Sequence, residues 1–135
     1  MATQIYVNLP VKDLEQSKAF FEGLGYTFNP QFTDENAACM VVAEGIYVML
    51  LVEKFFQSFT RKPVADATKS TEVLVCLSCD SRVKVDALVA KAVIAGGTAP
   101  REPRDYGFMY QHGFEDLDGH VWELVHMDEG AAGQA

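Results

Sequence analysis

The stretch that decides the fold runs from Val7 to Tyr26 and reads VNLPVKDLEQSKAFFEGLGY. It continues a β-rich run that starts at Ile5 and that Pro10 ends, because proline has no backbone N–H for a neighbouring strand. Asp13 can cap a helix, and apolar residues then recur at helical spacing to about Leu24. Two glycines at the end of this spacing mark the stop. The stretch therefore predicts a strand followed by a helix.

Three apolar runs rich in β-forming residues come next, at Tyr26–Phe32, Ala37–Ala43 and Ile46–Val52. Turn-like residues separate them, namely 34–36 and 44–45. The first half of the chain is therefore predicted to have the order β-α-β-β-β, over residues 4–53.

The same order recurs in the second half, over residues 72–127. Its predicted elements are the strand Glu72–Ser78, the helix Ser81–Ala95 and the strands Thr98–Arg101, Phe108–Phe114 and Val121–His126. Residues 54–71 form a connector or flap, and residues 128–135 a flexible tail. We therefore expect residues 1–135 to be one α+β domain built from two βαβββ modules.

Composition narrows the function classes. With 49% apolar and 22% charged residues among 135, the chain is typical of a globular protein. Its formal charge of −8 opposes binding to nucleic acid. We expect no signal peptide and no membrane span, since no apolar run approaches about 18 residues. Cys39, Cys76 and Cys79 are expected to be reduced thiols of a cytoplasmic protein, with a redox role for the CxxC spacing of the last two as the alternative.

Two motifs resemble the vicinal oxygen chelate superfamily, which includes glyoxalase I, bleomycin- and fosfomycin-resistance proteins and extradiol dioxygenases. The first comprises Val11, Asp13, Leu14, Ser17, Phe20 and Phe21. The second is FEDLDGHVWEL at Phe114–Leu124, where Leu117 replaces the usual proline. The resemblance covers Ile5 to Met127. It implies that the two modules form a cupped mixed sheet, the glyoxalase/bleomycin-resistance-like fold, and that the protein is a homodimer.

The resemblance also implies where a divalent metal would bind. Metalloenzymes of the superfamily hold the ion with side chains from the first and last strand of each module. These positions correspond to Tyr6 or its neighbour Asn8, to Met49, to Leu74 or Glu72, and to Glu123. His, Gln or Glu is the usual donor at each position, so this set is incomplete. No cofactor is therefore expected, and a metal held by Glu123 with His112 or Glu72 remains the alternative.

A hairpin around Asp116-Leu-Asp-Gly119 suggests a second kind of site. If the turn pairs Glu115 with His120, then His112 lies opposite Glu123 on the same face. Such a pair has the composition of an acid–base site, with both residues as candidate catalytic groups. The alternative interpretation is a polar pair that satisfies itself beneath a ligand.

We expect a small-molecule ligand, apolar or cationic, in the cup of the sheet, with Glu123 and His112 as polar anchors. The candidate ligand-binding residues are Tyr6, Met49, Phe55, Phe56, Phe59, Phe108 and Tyr110. The three phenylalanines at 55–59 lie in the predicted flap. The rival function is a divalent-metal-dependent lyase, isomerase or dioxygenase. A purely structural or interaction module is the third candidate.

Overall fold

The computed structural model describes residues 2–128, which divide into two compact units, one up to Asp66 and one from Ala67 onward. The predicted tail at 128–135 lies outside the described residues except for Asp128. Among residues 2–128, no helix has the length and apolar character needed to cross a bilayer.

The first unit has the predicted β-α-β-β-β order. Its elements are β1 (Ile5–Val11), α1 (Leu14–Gly23), β2 (Thr27–Phe28), a 3₁₀ helix (Pro30–Phe32), β3 (Ala37–Ala43), β4 (Ile46–Val52) and α2 (Glu53–Gln57). The strand order across the sheet is β1-β4-β3-β2, and only β1 and β4 are parallel.

The two ends of the stretch 7–26 behave differently from each other. Asp13 caps α1 as predicted, because its carboxylate accepts a hydrogen bond from the Gln16 N–H at 3.1 Å. Pro10, however, does not end the strand, which continues through it to Val11. Proline is tolerated there because β1 lies at the edge of the sheet, where no neighbour requires its N–H.

The second unit repeats the order. It comprises β5 (Leu74–Ser78), α3 (Arg82–Ile94), β6 (Arg104–Asp105), β7 (Met109–Glu115) and β8 (Val121–Met127). The strand order is β5-β8-β7-β6, again with only the first pair parallel. Ser81 caps α3, accepting from the Lys84 N–H at 3.0 Å. The α+β prediction of two βαβββ modules is confirmed.

The edge strand differs from the prediction in both units: β2 is shorter than the predicted run, and β6 lies at Arg104–Asp105, outside the predicted run Thr98–Arg101. The run Tyr26–Phe32 forms only the two-residue β2, because Pro30 starts a 3₁₀ turn whose first N–H groups are capped by Asn29. The run Thr98–Arg101 forms a lone bridge between Thr98 and Glu115. Two prolines, at 100 and 103, remove backbone donors that a continuous strand would need.

Each sheet has one face against a helix. In the second unit, Trp122 and Leu124 are 1% exposed and lie on the face that packs against α3. The residues alternating with them, Val121 and Glu123, therefore point to the opposite face, as expected of a strand. That opposite face carries the candidate site.

Candidate functional site

The hairpin register differs from the predicted one by a residue. The structure pairs Glu115 with Val121, so that Gly113 lies opposite Glu123 and His112 opposite Leu124. Asp116 and His120 close a three-residue loop, with the Asp116 N–H bonded to the His120 carbonyl at 3.0 Å. Gly119 has φ +88° and provides the left-handed residue that such a loop requires. The prediction that His112 and Glu123 face each other is wrong.

A one-residue shift moves every side chain to the other face of the sheet. His112 therefore belongs to the side of α3, where its Nδ1 lies 3.8 Å from the Asp86 carboxylate. Tyr110 lies on that side too, and its hydroxyl donates to Asp86 at 2.7 Å. The Arg82 guanidinium lies 5.4 Å from the Tyr110 ring centre. The acid–base pair of His112 with Glu123 is accordingly not formed.

Three polar side chains share the face away from α3. Arg104 on β6 pairs with Gln111 on β7, and Gln111 is two residues from Gly113, the partner of Glu123. Directly opposed residues point to the same side of a sheet, as do residues two apart in one strand. Arg104, Gln111 and Glu123 thus form a polar row across β6, β7 and β8.

Next to this polar row, part of the edge of β7 has no paired neighbouring strand in the described part of the chain. Thr98 bridges to Glu115 and Arg104 pairs with Gln111, so β7 has only residues 112–114 between two attachment points. The opposing segment, 99–103, has five residues for the same span and must bulge outward. His112 fastens the bulge, with its Nε2 3.1 Å from the Arg101 carbonyl oxygen.

A cavity of about 200 Å³ lies between the bulge and the sheet. Its lining residues are Thr71, Leu74, Pro100, Arg101, Glu102, Arg104, Gln111, His112, Gly113, Phe114, Glu115, Val121 and Glu123. The lining combines an apolar wall with five residues that carry formal charge. Arg101 and Arg104 were not among the predicted site residues, because nothing in a linear pattern shows that two short pairings would draw residues 99–103 over the sheet.

Glu123 is held over β7 by two neighbours. The Gln111 amide donates to its Oε2 at 3.2 Å. Gly113 leaves the space for the carboxylate, since a Cβ there would lie 2.8 Å from Oε2 and 2.6 Å from the Trp122 carbonyl oxygen. On the other side, Cys76 of β5 pairs with Glu123. Burial raises the pKa of the Cys76 thiol, and the charge of Glu123 raises it further.

The charged residues of the lining form no ion pairs with one another. Among residues 2–128, no ion pair involves Arg101, Arg104, Glu102, Glu115 or Glu123. Arg104 has a long hydrogen bond of 3.5 Å to the Tyr106 hydroxyl. That bond raises the pKa of Arg104, and the charge of Glu123 contributes in the same direction.

Two of the predicted ligand-binding residues of the first unit, Tyr6 and Met49, lie on the same face of its sheet. Tyr6 stacks on Tyr47 with ring centres 4.8 Å apart, and Met49 lies between Asn8 and Cys39. The predicted flap starts with α2, in which Phe55 and Phe56 are half-buried. Phe59 follows α2, is 69% exposed and contacts the Phe55 ring edge-on at 5.1 Å.

Phe108 differs from the remaining candidates because it lies just before β7, and its side chain is exposed. Its backbone carbonyl accepts a hydrogen bond from the Asp128 N–H at 2.9 Å. It does not line the cavity beside Glu123.

Asp116 is a buried anchor beneath the hairpin, and sequence reasoning had treated it only as a turn residue. Its carboxylate accepts from the Asp118 N–H, the His120 N–H and the Trp122 indole at 2.9, 3.0 and 3.0 Å. Burial raises the pKa of Asp116, while His120 and these three donors act against that rise. His120, directly after the turn, is only 8% exposed. The DLDG motif therefore fixes the hairpin that positions Glu123.

The usual metal set of the superfamily does not fit these residues. In the part of the chain that the structure describes, no group of three or more His, Cys, Asp or Glu side chains is arranged to hold an ion. Leu74 is apolar and exposed, Glu72 precedes β5, and His112 lies on the opposite face from Glu123. Metal binding by Glu123 with His112 or Glu72 remains untested.

Comparisons with known proteins agree with this architecture. Residues 3–43 match the family described as bleomycin resistance protein-like N-terminal. A hypothetical protein from S. aureus is 32% identical, with a TM-score of 0.78, and the match covers 93% of this chain and 95% of that one. No curated protein matches the chain significantly.

Two more distant structures share the fold. A glyoxalase/bleomycin resistance protein/dioxygenase family enzyme from Burkholderia phytofirmans has 18% identity and a TM-score of 0.77, over 93% of this chain and 99% of that one. The fosfomycin resistance protein FosX from Listeria monocytogenes has 17% identity and a TM-score of 0.65, over 96% of each. With its matching N-terminal model, its 32% identical relative and this shared fold, the chain belongs to the vicinal oxygen chelate superfamily.

Proposed function

We propose that the protein binds a small molecule carrying a positive charge in the cavity beside β7, with Glu123 and Gln111 as its polar anchors. The observation that carries the proposal is the Glu123 carboxylate, which lines a cavity and has no cationic partner among the described side chains. A partly buried carboxylate without an ion-pair partner favours a cation that enters beside it.

The cavity also limits the size of the ligand. Its volume of about 200 Å³ is below the range of about 300–1,000 Å³ that accommodates drug-sized molecules. Leu74 and Val121 supply apolar surface next to the carboxylate. These features support a ligand with a short hydrocarbon part and one cationic end.

The proposal is tested by titrating the protein with propylamine while following backbone and side-chain amide signals by NMR. Propanol is the matched neutral ligand. We expect propylamine to shift the signals of Gly113 and of the Gln111 side-chain amide, and propanol to shift them much less. The Glu123→Gln variant should bind propylamine at least about ten-fold more weakly, which corresponds to about 1.4 kcal/mol.

Glu102→Gln is the matched control, because it removes the same charge from an exposed position in the same lining. An equal loss in both variants would show that general charge attraction, and not an anchor at Glu123, holds the amine. A tightly bound divalent ion in the untagged protein, about one per chain and lost in Glu123→Ala, would instead favour the metal-dependent lyase, isomerase or dioxygenase.

The cupped arrangement of both modules, the flap role of Phe55–Phe59, the homodimer and the cytoplasmic location remain predictions. The cavity beside β7 is lined by residues of the second unit alone. The binding test above therefore requires no assumption about any of them.

A further inference from the structure

The cavity carries charge of both signs, and this narrows the chemistry of its ligand. Arg104 and Glu123 lie in one polar row, on strands β6 and β8, and both line the cavity. Gln111 stands between them on β7 and donates to Glu123. Neither charged group has an ion-pair partner among residues 2–128.

The two charged groups are closer together than their strands are. Neighbouring strands lie about 4.8 Å apart, so the backbones of β6 and β8 are separated by about 10 Å across β7. Because the Glu123 carboxylate reaches over β7 to Gln111 and Gly113, a short ligand can contact both it and Arg104 through charge-assisted hydrogen bonds. A short ligand with a single charge would leave either the arginine or the glutamate unmatched.

We propose that the ligand is a small zwitterion of the ω-amino acid class, with its ammonium group on Glu123 and its carboxylate on Arg104. The inference rests on the proposed function, since it keeps the cationic end at Glu123, and it adds a requirement for an anionic end. The N–H and the carbonyl of Glu115 both bond Thr98, so the backbone groups of Glu115 point away from β8, towards the bulge. Backbone groups alternate in direction along a strand, so the N–H of Gly113, two residues earlier, points the same way. A backbone donor thus lies on the side where the ligand carboxylate approaches.

The test is an NMR titration with glycine, β-alanine, γ-aminobutyrate and 6-aminohexanoate, a series in which the distance between the ammonium and carboxylate groups increases. Propylamine and butyrate are γ-aminobutyrate without its carboxylate and without its ammonium group, respectively. We expect β-alanine or γ-aminobutyrate to bind most tightly, and γ-aminobutyrate to bind at least ten-fold more tightly than propylamine. Affinity independent of chain length would overturn the proposal.

Arg104→Gln should abolish the advantage of γ-aminobutyrate over propylamine without weakening propylamine binding, because it removes a positive charge from the lining. Arg101→Gln is the matched control, because Arg101 lines the same cavity outside the polar row. An Arg101→Gln effect as large as that of Arg104→Gln would overturn the assignment. The NMR spectrum of each variant is compared with that of the wild type, signal by signal. Unchanged signals away from the substitution show that the second unit remains folded.

The two proposals fail in distinguishable ways. If propylamine binds through Glu123 and γ-aminobutyrate binds no better, the zwitterion is excluded and the cation site stands. If no amine or amino acid shifts the Gly113 and Gln111 signals, both proposals are excluded.

Discussion

The two βαβββ units place different residues at the same structural position. Met49 on β4 lies between Asn8 on the parallel neighbour and Cys39 on the antiparallel one. Glu123 occupies the corresponding place on β8, between Cys76 and Gly113. Cys39 has a side chain beside the Met49 thioether, whereas a Cβ at position 113 would lie only 2.8 Å from Oε2 of the Glu123 carboxylate. In the second unit, the polar residue therefore stands opposite a residue that has no side chain.

The sheet edges differ as well. In the first unit, two residues that follow β2 still bond β3: the Asn29 N–H donates to the Cys39 carbonyl and the Asp34 N–H to the Ala37 carbonyl. In the second unit, the edge opens between the attachments at Thr98 and Arg104. In the second unit, the segment between these attachments stands off the sheet and a cavity lies beside it.

The largest expected effect tests the turn before the last strand. Asp116→Ala leaves two backbone N–H groups and the Trp122 indole without their acceptor at a site only 7% exposed. We expect a loss of about 2–4 kcal/mol in the free energy of unfolding, measured by chemical denaturation.

Its control comes from the first unit. Asp34 accepts from the Asn36 and Ala37 N–H groups at 2.8 and 3.1 Å, but it is exposed, so water can replace it. Asp34→Ala should cost less than about 1 kcal/mol. Equal losses in the two variants would contradict the claim that burial distinguishes the two turns.

A somewhat smaller effect is expected from Gly113→Ala. The new Cβ would meet the Trp122 carbonyl oxygen at 2.6 Å and the Glu123 carboxylate at 2.8 Å, so β8 or the side chain must shift. We expect a loss of about 1–3 kcal/mol in unfolding free energy, together with weaker propylamine binding. Denaturation and the NMR titration measure the two effects separately.

Cys39→Ala is the control at the corresponding position of the first unit. It leaves the backbone and the Cβ in place and removes a small buried thiol, so a loss of about 1 kcal/mol is expected. Unchanged propylamine binding in Gly113→Ala would show that the Glu123 carboxylate does not depend on the space that the glycine leaves.

The smallest effect concerns the opened edge. The Gly107 N–H and, next, the Arg82 guanidinium hold the pKa of Asp105 below its usual value of 3.8. A carboxyl group with a lowered folded-state pKa stabilises the fold above its unfolded-state value, and this contribution is lost as the pH falls through the folded value. Asp105→Asn should therefore lower stability slightly at pH 7 and less at pH 3.

Because Asp105 and Arg82 are solvent-accessible, the difference should be modest and should shrink at high salt. Denaturation at a series of pH values measures it. Glu102→Gln, which lies outside this ion pair, should show no such convergence; if both variants behave alike, the ion pair does not stabilise the edge of the second sheet.

Much of the fold could be predicted because its signals are local. The caps at Asp13 and Ser81 and the apolar spacing behind them depend on neighbours within a few residues, and both helices lie where they were expected. The errors occurred where a local pattern had two outcomes. Pro10 can end a strand or lie on an edge strand, and only the position of β1 in the sheet distinguishes the two.

The site was predictable in composition but not in arrangement. The repeat identified Glu123 as the polar residue at the position of Met49, and the structure places it beside a cavity. Its supposed partner His112 lies on the opposite face, while Gln111, Gly113 and Arg104 were not identified. The number of residues in the turn at 117–119 decides which residues of β7 share a face with Glu123. The way the short strand β6 is attached decides whether Arg104 joins them.

The sequence by itself determined the repeated βαβββ order, the helix starts and the lone carboxylate near the end of the second unit. Only the tertiary structure decided which residues share a face with that carboxylate. The physical reason is the two-residue period of a strand, in which a single step of register exchanges every neighbour on one face for those on the other. Sequence patterns locate the ends of strands only to within a residue or two. This uncertainty is as large as the one-residue change in register that exchanges the two faces.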